Sequence, residues 1–402
     1  MFGGLGDAAA DQCIRFAALR FAPDTARGER NLMGTWHLND LTAAAGAPPG
    51  QEGPVAGYVF VAQGTQHVVY LGDRHAHELW WDPNGWHHND LTAASGAPET
   101  GGPGPVGYVF NTQGTQHVVY PSLDNHIHEL WWDIHGWHHN DLTAATGAPE
   151  AGGRITGYAF DSRGSQHVVY IGNATARIHE LWWDATGWHH NDLTAATGGP
   201  LAGSNPRGYV FKGQGTQHVV YQGLDDGGRI HELWWDANGW HHNDLTAAAG
   251  APEALSDLAG YVFDTQGTQH VVYVAGPDAY HPHGVHELWW DTHGWHHNDL
   301  TTAAGAPAPS GDEPTGYAFE AEGTQHVVYP GADTHIHELW WDTNGWHHND
   351  LTAATGAPQV DGLVGNTLLG YPFENQGTQH IVYMGPDNHV YELWWGFTVL
   401  PG

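Results

Sequence analysis

Three side chains capable of chemistry recur together along this chain: a carboxylate, an imidazole and an indole. The carboxylates are Glu78, Glu129, Glu180, Glu232, Glu287, Glu338 and Glu392, each opening an ELWW phrase. The imidazoles are His67, His117, His167, His218, His270, His326 and His380, each inside a GTQHVVY-like phrase. The indoles are Trp86, Trp137, Trp188, Trp240, Trp295 and Trp346 in GWHHNDLT, with Trp36 in the degenerate copy TWHLNDLT. An ionised carboxylate only accepts hydrogen bonds, a neutral imidazole donates one, and an indole offers a broad apolar face with a single N–H. With 44 acidic residues against 11 Lys and Arg, the repeated glutamate has few salt-bridge partners. It must be hydrogen-bonded by His, Gln, Trp N–H or backbone, or stand exposed in a cleft. Two readings follow. The glutamate either ties strand to strand, or it accepts hydrogen bonds from ligand hydroxyls beside an aromatic platform. Sugars need that second combination, because ring C–H groups pack on an aromatic face while hydroxyls require directional partners.

The HHND run raises the question of metal. On a strand, His138 and Asn140 share one face, and His139 and Asp141 the other. That spacing can place two ligands on one ion, whereas a strong zinc site needs three or four. The chain has no HExxH or Cys/His pattern, so turn and inter-strand hydrogen bonds are expected here, with no metal and no cofactor. A GxSxG elbow, a P-loop and a GxGxxG fingerprint are likewise absent. Near-equal copies of one constellation suit multivalent binding better than a single asymmetric active site. We therefore read a binding protein rather than an enzyme. The competing classes are an interaction scaffold, with specificity in the linkers, and a metal-dependent enzyme using histidines near a central channel.

The elements that must position these groups are short. GYVF, QHVVY, IHELWWD and GWHHNDLT are rich in β-branched and aromatic residues and bounded by Gly, Pro, Asn or Asp, which is the signature of strands. Two-residue turns such as Pro83-Asn84 and Ala237-Asn238, each followed by Gly, join the third strand to the fourth. No window sustains a 3.6-residue apolar period, so helix should be nearly absent. Successive QHVVY histidines lie 50 to 56 residues apart. Four antiparallel strands in about 50 residues, seven times over, predict an all-β seven-bladed β-propeller. The chain opens with a lone fourth-strand phrase at residues 35–42 and ends with the first three phrases of a unit. The N-terminal strand should then complete the C-terminal blade and close the ring, sparing two sheet edges. Residues 31–402 form the propeller in this reading. Residues 1–30 are a lead-in, with CIRFAALRF a candidate extra strand. In IHELWWD, Ile127, Glu129, Trp131 and Asp133 share one face and His128, Leu130 and Trp132 the other, with at least one tryptophan per unit packing between blades.

Net charge is −33 with histidine neutral, and Lys212 is the one lysine. Nucleic acid and anionic membranes are thus poor partners, since both require clustered Lys and Arg. Cys13 stands alone, so no intrachain disulfide forms. No apolar run approaches the ~18 residues of a membrane span. MFGGLGDAAADQCIRF lacks the basic and apolar regions of a secretory signal, which points to the cytoplasm or to a non-classical export route. A monomer or small homo-oligomer is expected.

The unit HVVY…IHELWWD…GWHH resembles the repeat of the fungal fucose-specific lectins, and in architecture the bacterial seven-bladed propeller lectins. That resemblance, spanning residues 34–396, implies glycan partners and sugar sites between neighbouring blades. A glutamate of one blade would bind hydroxyls and a fourth-strand tryptophan of the next would stack on the ring. Carried over, Glu78 meets Trp137, Glu129 meets Trp188, Glu180 meets Trp240, Glu232 meets Trp295 and Glu287 meets Trp346. Across the closure, Glu338 meets Trp36 and Glu392 meets Trp86. The family places an arginine at or beside the QHVVY histidine, and no copy here has one. His67 and its six counterparts stand there instead, offering one donor where a guanidinium offers five. The resemblance thus implies a lectin for fucose or a related monosaccharide.

Overall fold

A computed structural model describes residues 34–51, 53–276, 283–360 and 368–397. Residues 1–30, and with them the candidate strand CIRFAALRF, lie outside the described residues. The main unit, Thr35–Gly396, is built from seven four-stranded sheets. Blade 1 comprises Ala56–Phe60, Thr65–Gly72, His75–Asp82 and Gly85–Asp90. Blades 2 to 6 repeat this order, with GWHHND strands at Gly136–Asp141, Gly187–Asp192, Gly239–Asp244, Gly294–Asp299 and Gly345–Asp350. Blade 7 takes three strands from the end of the chain, Leu369–Phe373, Thr378–Met384 and Val390–Phe397, and its outer strand from the beginning, Gly34–Asp40. The seven-bladed propeller and the shared blade are thus as the repeat count requires.

Register explains why the phrases have fixed lengths. The two-residue turn at Pro83-Asn84 pairs Asp82 with Gly85, which sets Trp81 opposite Trp86 and Glu78 opposite Asn89. The same pairing recurs in blades 2 to 6. Between blades the core is apolar and buried. Tyr58, Val69 and Leu91 of blade 1 pack on Val118, Tyr120 and Leu130 of blade 2. Tyr371, Val382 and Val390 of blade 7 pack on Val68, Tyr70 and Leu79 of blade 1 in the same manner, so first and last blades are neighbours. The inner-strand glycine makes this packing possible. A Cβ on Gly57 would stand 2.1 Å from the Tyr371 ring, and one on Gly107 would stand 2.1 Å from the Tyr58 ring. Each inner strand therefore lies against the tyrosine of the blade before it.

The fourth strand is shorter than its phrase. It stops at Asp, and Leu-Thr begin a five-residue helix in every copy, such as Leu91–Ser95 and Leu142–Thr146. The expectation that helix would be nearly absent missed these single turns. Their cause is local: Asp90 and Asp141 accept the backbone N–H of Ala93 and Ala144, and Gly96 and Gly147 close the other end in the left-handed conformation. Five residues are too few to show a helical period, but the caps were readable. Among the described residues no helix is long and apolar enough to cross a membrane.

Candidate functional site in the clefts between blades

Each glutamate of the ELWW phrase sits at the floor of a blade and is about 1% exposed. Its carboxylate is held from two strands of its own blade. The Nδ1 atoms of His67, His117, His167, His218, His270, His326 and His380 lie 2.8 Å from Glu78, Glu129, Glu180, Glu232, Glu287, Glu338 and Glu392 respectively. The amide nitrogens of Asn89, Asn140 and Asn191 donate to the other oxygen of Glu78, Glu129 and Glu180 at 2.8 Å. In blade 7 the donor is Asn39 of the N-terminal strand, 2.8 Å from Glu392. Because the carboxylate only accepts, Nδ1 carries the histidine proton that faces it. Nε2 of a neutral ring then accepts from a hydroxyl: Thr65 for His67 at 2.8 Å and Ser165 for His167 at 2.9 Å. The neighbouring blade joins in through glutamine. Gln217 donates to Glu180 at 3.4 Å and accepts from the Tyr158 hydroxyl at 3.4 Å. The glutamate therefore ties strand to strand and blade to blade.

Above that floor lie clefts. One of about 280 Å³ opens between blades 3 and 4, with Glu180, His167 and Trp240 in its lining. Another of about 230 Å³ opens between blades 6 and 7, lined among others by Glu338, His326 and Trp36. Both approach the ~300 Å³ lower end of ordinary ligand pockets. In these two clefts the structure brings together the acid of one blade and the fourth-strand indole of the next. The remaining fourth-strand tryptophans, Trp86, Trp137, Trp188, Trp295 and Trp346, are half-buried and pack against the core shared with the preceding blade.

Sequence reasoning missed part of the lining. The first tryptophan of the WW pair, Trp182 or Trp340, faces the cleft rather than the inter-blade core. It stacks on the first histidine of HHND, with ring centroids 4.3 Å apart for Trp182 and His189. The alternation that places Glu129 and Trp131 on one face already contained this. The indole N–H of Trp182 is buried and meets no acceptor among the described residues. Trp235, the second member of the next pair, lines the opposite wall. Asp184, at the rim of the first cleft, is held down to about 2 by the Thr186 hydroxyl and backbone N–H and by His189. Arg163, in the turn after the inner strand of blade 3, lies over the Trp235 ring at 4.3 Å.

The second histidine of HHND serves another end. His77 Nδ1 meets His88 Nε2 at 3.0 Å, and such pairs recur in blades 1 to 6 at 2.8 to 3.1 Å. Burial holds His77, His88, His128 and His179 below the ordinary imidazole range. Blade 7 has Tyr391 and Leu38 at these two positions, so both partners are exchanged together. Among the described residues no group of three or more His, Cys, Asp or Glu is arranged to hold a metal ion. A central channel of about 270 Å³ is lined by inner-strand ends and by Arg154, Arg207 and Glu313, with no histidine among its described lining. The metal-enzyme alternative had placed histidines there.

The class that fold and site define is a seven-bladed β-propeller with repeated clefts between blades. No family model matches the chain, and no curated protein matches it in sequence. Solved structures similar to it include AofleA from Arthrobotrys oligospora, at 13% identity over 79% of this chain and 89% of that one, with a TM-score of 0.49. The Aleuria aurantia lectin in complex with Fucα1-6GlcNAc is similar at 16% identity over 74% of this chain and 94% of that one, also with a TM-score of 0.49. A fucose lectin from Kordia zhangzhouensis with methyl-fucoside shares 23% identity over 36% of this chain and 96% of that one, with a TM-score of 0.28. The Aleuria fold is described as six-bladed, one blade fewer than here. Likeness at this level assigns no ligand.

Proposed function

We propose that this propeller is a carbohydrate-binding lectin with multiple equivalent inter-blade sites, and that its work is binding rather than catalysis. A monosaccharide ring lies against Trp240 or Trp36 while its hydroxyls reach down to Glu180 or Glu338. The observation that supports this most is the pairing of a fixed, buried carboxylate with indole walls inside a cleft of about 280 Å³. An acceptor held on two sides by His167 and Asn191 needs no reorganisation when a hydroxyl arrives. Fucose is the candidate the sequence resemblance implies; His67 and its counterparts, which stand where the family has arginine, spend their Nδ1 donor on the glutamate. Sites of this kind are individually weak and gain avidity on glycosylated surfaces when several engage together.

The test is ligand-observed NMR with neutral methyl monosaccharides on the full chain and on a Trp240→Ala, Trp36→Ala double variant. Saturation transfer to ring protons of at least one sugar is expected, with a reduced signal in the folded double variant. Absence of transfer from every sugar would refute the lectin reading. An unchanged signal in the variant would move the site away from these clefts.

A further inference from the structure

The two clefts match position for position in all but their rims. Ser165 replaces Thr324, which keeps the hydroxyl, and Asp184 lines only the first. The difference that changes chemistry is Arg163 in one and Glu322 in the other. Both occupy the residue before Gly in the turn that follows the inner strand, where blades 1, 2, 4, 5 and 7 have glutamine. Arg163 is exposed, and its contacts among the described residues are the rings of Phe160 at 5.6 Å and Trp235 at 4.3 Å. The arginines Arg74, Arg154, Arg177, Arg207 and Arg229 all have carboxylate partners. In a chain with 44 acidic residues, Arg163 instead has no carboxylate partner among the described residues and lies over an indole at a cleft mouth. A guanidinium placed over an aromatic face still has N–H donors able to meet a carboxylate with two parallel hydrogen bonds.

We infer that the cleft between blades 3 and 4 is specialised for a carboxylate-bearing sugar, with Arg163 as its specificity-determining residue, and that the cleft between blades 6 and 7 excludes that ligand through Glu322. This rests on the sugar reading above. The floor carboxylates do not distinguish the clefts, because Glu180 is held by His167 and Asn191 and Glu338 in the same way by His326 and Asn349. The charge difference lies at the rim, where Arg163 stands opposite in sign to Glu322. The second cleft is lined by the carboxylates of Glu338 and Glu322 with no Lys or Arg among its described lining. The remaining five positions carry a neutral amide and make no charge distinction of this kind.

Calorimetric titration of the full chain with a methyl hexuronide and with the matching neutral methyl hexoside tests this at near-physiological salt, comparing wild type with Arg163→Gln and Glu322→Gln. Both substituted residues are exposed, and both variants introduce the residue other blades already use. The expected result is that Arg163→Gln lowers the ratio of hexuronide to hexoside affinity about tenfold, the effect of losing a charge-assisted hydrogen bond, and that Glu322→Gln adds a hexuronide site. If the hexoside binds and neither variant changes the ratio, the charge discrimination is wrong and the sugar reading stands. If neither ligand binds wild type, both fall.

Discussion

The repeated glutamate has an internal role that any ligand would only extend. Its carboxylate is buried, and His117 and Asn140 donate to Glu129 from two different strands. Asn140→Ala should therefore destabilise the fold by about 1–3 kcal/mol, the cost of an unsatisfied buried group, as read by chemical denaturation. The histidine pairs predict a pH dependence. Nine histidines, among them His190, His242, His286, His297 and His348, are held low chiefly by burial. A depressed folded pKa means the unfolded chain takes up protons first as pH falls below its ordinary value near 6.5. Stability from these groups is fully present above that value and is lost as pH falls through the folded pKa values. His126 and His335 run the other way, raised by the side chains of Asp141 and Asp350, but they are two against nine and only part-buried. The thermal midpoint should thus drop between pH 7 and 5. Introducing the blade 7 solution into blade 1, with His77→Tyr and His88→Leu together, should make that drop smaller. A midpoint that does not move with pH would contradict this.

The strands were legible because their phrases are short, alternating and bounded by turn residues. The Pro83-Asn84 turn alone fixes Glu78 opposite Asn89, so the asparagine that holds the acid was within reach of sequence reasoning. The single-turn helices escaped because a period cannot be seen in five residues, although Asp141 at one end and Gly147 at the other marked them. Asp141→Ala should cost about 0.5–2 kcal/mol through the lost cap, and more if the His126 contact at 2.9 Å contributes. What no local pattern revealed is the approach of one blade to the next. Gly107 reads as an ordinary strand glycine until the Tyr58 ring is found where its side chain would be. Gly107→Ala should destabilise by roughly 1–3 kcal/mol through overpacking, measured by the same denaturation, while the same change at exposed Gly114 would instead report on its left-handed backbone.

At the scale of the whole molecule, the repeat count required the N-terminal strand to complete the last blade, and it does so. Removing residues 1–40 would strip Asn39 from Glu392 and Trp36 from the cleft between blades 6 and 7. Such a chain should melt at lower temperature and form soluble oligomers through the exposed sheet edge, which size-exclusion chromatography would show. The clefts themselves were only half legible. The family resemblance paired the acid of one unit with the indole of the next, whereas Arg163 and Glu322 stand in the sequence only as exceptions to a turn glutamine shared by five copies, and their place at the cleft mouths came from the fold. The central claim is that a sugar ring occupies the notch between blades. Crystals soaked with a neutral methyl monosaccharide test it most directly: the expected result is density for a ring stacked on Trp240, with a hydroxyl within hydrogen-bond distance of Glu180. Sugar density confined to the central channel or outer loops, with these clefts holding only solvent, would contradict it.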